Sequence, residues 1–140
     1  MIKQLTSKKN LKSTINVNKY LQLENKCRKL LSIDEIRFVG IINRMGNLIA
    51  GGISDGVDLI ETDEKRRKLY LQIALEISMR KDFDDTLGKI NYVATNRDNV
   101  LMIAVPMSNH VLLISAKSTS IAEQIISKVH SLGFFNLTFR

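Results

Sequence analysis

Cysteine is nearly missing: Cys27 stands alone in 140 residues. No internal disulfide can form, which excludes a disulfide-stapled miniprotein and makes a reducing cytoplasm the expected compartment. Histidine is almost as scarce, with only His110 and His130. No Ser/His/Asp or Cys/His arrangement and no metal-ligand spacing can be assembled from the sequence, so neither an enzyme nor a bound cofactor or metal is expected. Glycine and proline, at seven and one, are too few for a collagen-like repeat. Long hydrophobic runs are missing too. The stretch from Val111 to Ile114 falls far short of the ~20 residues that a membrane-spanning helix needs. Met1-Ile2-Lys3-Gln4-Leu5 runs into polar residues rather than into the apolar core of an export signal. A water-soluble protein is expected.

What is present is ordinary globular material, with 44% hydrophobic and 25% charged residues, which excludes a wholly disordered chain. The length suits one domain. The formal charge of +7 is unevenly placed: residues 1–31 hold eight bases against Glu24 alone, and residues 32–140 hold 13 bases and 13 acids. The chain therefore reads as a basic, flexible arm over 1–18 and a single domain over 19–140. Lys3, Lys8, Lys9, Lys12 and Lys19 are the candidate contacts for a polyanion such as nucleic acid. No aromatic residue precedes Tyr20 to stack on bases, so that contact would be nonspecific.

Periodicity supplies the elements. Tyr20, Leu23, Cys27 and Leu30 share one face of a helix predicted from Lys19 to Ser32. Two β-type runs follow, Ile36–Asn43 and Leu48–Gly52, with Arg44-Met45-Gly46-Asn47 as their turn. A central helix begins near Thr62 as N-cap, with Asp63 and Glu64 at its positive end and Arg80 and Lys81 at the other. Its apolar residues Leu69, Tyr70, Leu71, Ile73, Ala74, Leu75, Ile77 and Met79 cover more of its girth than one sheet needs. Two burial partners are expected, one of them a second subunit. Three strands come next, Ile90–Thr95, Val100–Val105 and His110–Ala116, and then a helix that Ser118 or Thr119 could cap and Gly133 stops. The apolar tail, Phe134 to Phe139, needs cover within its own subunit or on a neighbour.

Several features invite chemistry and have a plainer reading. Cys27 lies on an apolar stripe and reads as packing. The run Gly51-Gly52-Ile53-Ser54-Asp55-Gly56 lacks the Lys-Ser or Lys-Thr pair of a phosphate loop and reads as a bend. Asp82-Phe83-Asp84-Asp85 lacks the alternation of a calcium loop and reads as a solvated helix end. His130 stands near a helix C-terminus, where it complements the dipole.

The element order predicts an α+β fold, a five-stranded antiparallel sheet with helices on both faces in the order α-β-β-α-β-β-β-α. Ile36-Arg37-Phe38-Val39-Gly40-Ile41-Ile42-Asn43, Gly46 and Leu48-Ile49-Ala50-Gly51-Gly52 resemble the first hairpin of the roadblock/LC7 family, within the longin- and profilin-like folds. The resemblance covers about residues 19–132 and extends to small archaeal proteins with a similar hairpin. It implies a homodimer joined through the central helix and the strand after it, which places Leu69, Tyr70, Ile73, Ala74, Ile77, Ile90, Tyr92 and Ala94 at the interface. It also implies a regulator or scaffold serving a small GTPase or another signalling complex. No arginine finger can be named. Polyanion binding through the arm and a small-ligand sensor are the alternatives.

Overall fold

The computed structural model describes residues 14–54 and 62–134. Its elements are α1 (Thr14–Leu31), β1 (Ile36–Asn43), β2 (Leu48–Ile53), α2 (Asp63–Arg80), α3 (Asp84–Leu87), β3 (Val93–Asn96), β4 (Leu101–Pro106), β5 (His110–Ala116) and α4 (Ala122–Ser131). A 3-10 turn at Lys81–Phe83 joins α2 to α3. The strands form one antiparallel sheet in the order β2-β1-β5-β4-β3. The α+β class and the order of the main elements are those the sequence predicts.

The sheet is covered on both faces, which is why its central strands are continuously apolar rather than alternating. On one face Val39 and Ile41 pack with Leu101, Ile103, Val105, Leu112 and Ile114 beneath Leu23, Cys27 and Leu30 of α1 and Ile125 and Val129 of α4. On the other, Phe38, Ile42, Ala104 and Leu113 pack beneath Tyr70, Ala74 and Ile77 of α2. A fully buried leucine or isoleucine contributes about 1.5–3 kcal/mol. The first and larger cluster therefore anchors the domain, and α2 rests on the smaller one.

Asn43 builds the β1–β2 turn, its side-chain oxygen accepting from the backbone N–H of Met45 and of Asn47, each at 2.9 Å. The tip lies against α2. Gly46 has φ +81°, and a Cβ there would stand 2.6 Å from Leu71 Cα. Gly51, inside β2, has φ +103°, and a Cβ would meet the Val39 carbonyl oxygen at 2.0 Å. Its N–H donates to Glu24 Oε1 at 3.1 Å, which ties α1 to β2.

Several boundaries differ from expectation. Helix α1 opens at Thr14 rather than Lys19, so residues 14–18 belong to it and not to an arm. Its first turn, Thr14-Ile15-Asn16-Val17, holds β-branched and Asn residues of modest helix propensity, which hid the start. Strand β2 runs on through the glycine pair to Ile53, with Gly52 opposite Val39 and Ile53 opposite Phe38. Strand β3 begins at Val93, opposite Ala104. Continuing that register, Asn91 would face Pro106, which has no N–H to donate, so Ile90 and Tyr92 precede the strand. Helix α4 begins after Ile121 without a side-chain cap. The Ser118–Ser120 stretch instead forms a turn in which Ser120 N–H donates to the Lys117 carbonyl at 2.9 Å. Of the apolar tail, Phe134 is fully buried in the larger core cluster, and residues 135–140 lie outside the described residues, as do Lys3, Lys8, Lys9 and Lys12.

Candidate interaction surface

Helix α2 is set by its ends. The Thr62 hydroxyl accepts from Lys65 N–H at 3.3 Å, and Asp63 and Glu64 occupy the first turn. Asp63 also pairs with Arg66. From there the helical period turns Tyr70, Ala74 and Ile77 onto the sheet, where the Tyr70 ring stacks on Phe38 at 6.0 Å. Away from the sheet Leu71, Leu75 and Met79 are 42%, 53% and 68% exposed. The broad apolar girth is therefore divided between a buried face and an open one.

Two clefts run along the flank of α2 that looks toward β3. In the first, of about 580 Å³, Lys65, Lys68, Leu69 and Gln72 face Arg97, Asp98, Asn99, Val100 and Met102. In the second, of about 520 Å³, Glu76, Met79 and Arg80 face Phe83, Leu87, Gly88 and Ile90. Phe83 and Leu87 are mostly exposed. Beside the clefts, β3 pairs only with β4 and closes the sheet order, so its outer edge has no strand neighbour among the described residues. Here the chain offers apolar surface and an open strand edge side by side.

The residues expected at a subunit interface divide accordingly. Leu69 lines the first cleft and Ile90 the second, both half-buried. Ile73 packs at the margin of the α2 cluster, and Ala94 is exposed on β3. Tyr70, Ala74 and Ile77 are buried against the chain's own sheet, and the Tyr92 hydroxyl donates to Glu123 Oε2 of α4 at 3.3 Å. These four are engaged within the subunit. The sequence reasoning left out Met79, Phe83 and Leu87. Phe83 stands among Asp82, Asp84 and Asp85, which made the segment look solvated throughout.

Elsewhere the described residues hold little reactive chemistry. Cys27 is buried, and loss of hydration, reinforced by the Glu24 carboxylate, pushes its thiol up to about 12. His110 is held below the ordinary imidazole value by partial burial and then by the Arg44 guanidinium. Arg44 itself donates to Asn109 Oδ1 at 2.6 Å. Among the described residues no group of three His, Cys, Asp or Glu side chains could hold a metal ion, and no helix is long and apolar enough to cross a membrane.

Comparison with known proteins follows the same line. Residues 12–133 match a family described as a family of unknown function, DUF6659. No curated protein matches the chain. Among solved structures, a roadblock/LC7 domain from Streptomyces avermitilis superposes with a TM-score of 0.60 at 12% identity, over 78% of this chain and 89% of the other. The gliding protein MglB from Thermus thermophilus gives 0.63 at 10% identity, over 80% and 86%. Myxococcus xanthus MglB gives 0.60 at 12% identity, over 78% and 86%. At such identities the likeness is one of fold: the chain has the roadblock/LC7 architecture.

Proposed function

The chain belongs to the DUF6659 family, and from that premise we propose that it is a non-enzymatic, homodimeric regulatory or scaffold module of the roadblock/LC7 type. One observation carries the reading: the β3-facing flank of α2, with its two clefts, lies beside an open strand edge. A two-fold axis there would bring the flank of one copy against that of the other and extend the sheet across both. Such an isologous contact closes on itself. Leu69, Ile73, Ile90 and Ala94 are the sequence-predicted interface residues that remain available to it, joined by Met79, Phe83 and Leu87. A small GTPase or another signalling complex is the client class that the roadblock resemblance implies.

The test is the mass in solution by light scattering over a dilution series. A stable value near twice 15.9 kDa is expected, and Leu69→Glu, which places a charge in the first cleft, should move it to the monomer with unchanged circular dichroism. A monomer at every concentration in the unmodified protein would overturn the proposal.

A further inference from the structure

Charge recurs along α2 at a spacing of four. Glu64, Lys68, Gln72, Glu76 and Arg80 form one row on the helix, and all of them are exposed. Lys68 and Gln72 line the first cleft, Glu76 and Arg80 the second. The row therefore passes from cleft to cleft along the flank assigned above to the contact between copies. Such spacing ordinarily serves pairing within a helix, here Glu64 with Lys68 and Glu76 with Arg80. Neither pair forms: none of these charged side chains takes part in an ion pair among the described residues.

The row runs acid, base, amide, acid, base, and reversed it is its own complement. The dimer proposed above reverses it. A sheet continued across two copies, with both α2 helices on one face, needs a two-fold axis normal to the sheet, and that axis sets the helices antiparallel. With the axis at Gln72, Lys68 stands opposite the partner's Glu76 and Glu64 opposite the partner's Arg80, each twice by symmetry. The two Gln72 amides meet on the axis. Sliding the helices by one turn destroys the match in either direction. One slide sets Lys68 against the partner's Arg80, and the other sets Glu64 against the partner's Glu76. Like charges opposed in this way cost a contact more than exposed unlike pairs add to it.

We propose that this row sets the register in which a second copy of the chain is recognised: Gln72 lies on the two-fold axis, Lys68 pairs with the partner's Glu76, and Glu64 pairs with the partner's Arg80. It rests on the dimer reading and adds the side chains by which the partner copy is selected. The apolar residues of the flank supply area, which has no direction. The row admits one antiparallel alignment and turns away a helix that carries like charges at the facing positions. Selection of this kind makes assembly respond to ionic strength.

The test is charge exchange in the full chain, read by light scattering over a dilution series. Lys68→Glu and Glu76→Lys each set like charges opposite one another twice, and each alone should raise the dimer dissociation constant about tenfold or more. Mixed in equal amounts, the two variants recover both unlike pairs and should form a heterodimer of nearly the unmodified strength. Both changes in one chain should return a homodimer that no longer exchanges with the unmodified chain, followed by energy transfer between labelled copies. Raising salt from about 0.05 M to about 0.5 M should weaken the unmodified dimer and strengthen the single variants, because screening removes attraction from one and repulsion from the others. A mixture no tighter than its single variants, or salt that moves all of them alike, overturns the proposal. Misfolding of a variant does not imitate rescue by mixing. The failures are distinguishable: a monomer at every concentration in the unmodified chain removes both readings. A dimer that Leu69→Glu breaks and the charge exchanges leave unmoved removes only the register.

Discussion

Cys27 shows how position decides chemistry at the scale of a residue. A thiol pushed up to about 12 by burial is almost wholly protonated near neutral pH, and only the thiolate reacts. Native protein at pH 8 should therefore resist a thiol-titrating disulfide reagent for hours and react with one equivalent once unfolded in guanidinium. His110 carries the opposite lesson. Its folded-state value lies below the ordinary 6.5, so the unfolded chain binds its proton first as pH falls. The contribution is complete above about pH 6.5 and is lost as pH falls through the folded value. Chemical-denaturation midpoints should drop on acidification below pH 6.5, and His110→Asn should flatten that part of the profile. Gly51 is fixed by backbone: φ +103° and a carbonyl 2.0 Å from any Cβ. Gly51→Ala should lower unfolding free energy by about 1–3 kcal/mol, measured by urea titration, with the Glu24 bond disturbed as well.

At the scale of the element, α1 and α2 differ in what an exchanged leucine would cost. Leu23 is fully buried on the inner face of α1, and Leu23→Ala should cost about 2–5 kcal/mol. Leu75, half open on α2, should cost no more than about 0.5 kcal/mol in the isolated chain, and comparing the two by thermal melts checks the division of α2 into faces. That division was only half legible. The eight apolar residues of α2 announced two partners, but a run such as Leu69-Tyr70-Leu71 and Ile73-Ala74-Leu75 spreads around the helix, so spacing alone did not say which side met the sheet. The hairpin was readable almost to the residue because Arg44-Met45-Gly46-Asn47 carries turn chemistry, of which the structure uses the positive φ of Gly46, while the closing role of the Asn43 side chain was hidden because Asn43 ends the strand. The start of β3 was not, since Ile90 and Tyr92 look like strand residues and only the place of Pro106 in the opposite strand stops the ladder. The clefts beside α2 escaped sequence reading because they join Glu76 and Met79 to Phe83, Leu87 and Ile90, a pairing that depends on how the chain turns at Gly88.

The whole molecule is a sheet between unequal layers, and its stability should be graded across it. Strands β1, β5 and β4 are central and buried on both faces. Their amides, Leu112 to Ile114 above all, should exchange with solvent more slowly than the rest. Amides of β3, at the border, should exchange faster, and in a dimer their protection should rise with protein concentration. Hydrogen exchange at two concentrations checks both.

The bond from Gly51 N–H to Glu24 has a consequence for stoichiometry. At the β2 border that backbone donor is already occupied and the strand is bent by a positive φ, so an incoming strand meets a broken ladder there. The β3 border carries no such obstruction among the described residues. Growth of the sheet is then possible in one direction only, and a copy added there presents its own obstructed border outward. In the dimer proposed above, assembly by this route would terminate at two chains rather than propagate into a fibre.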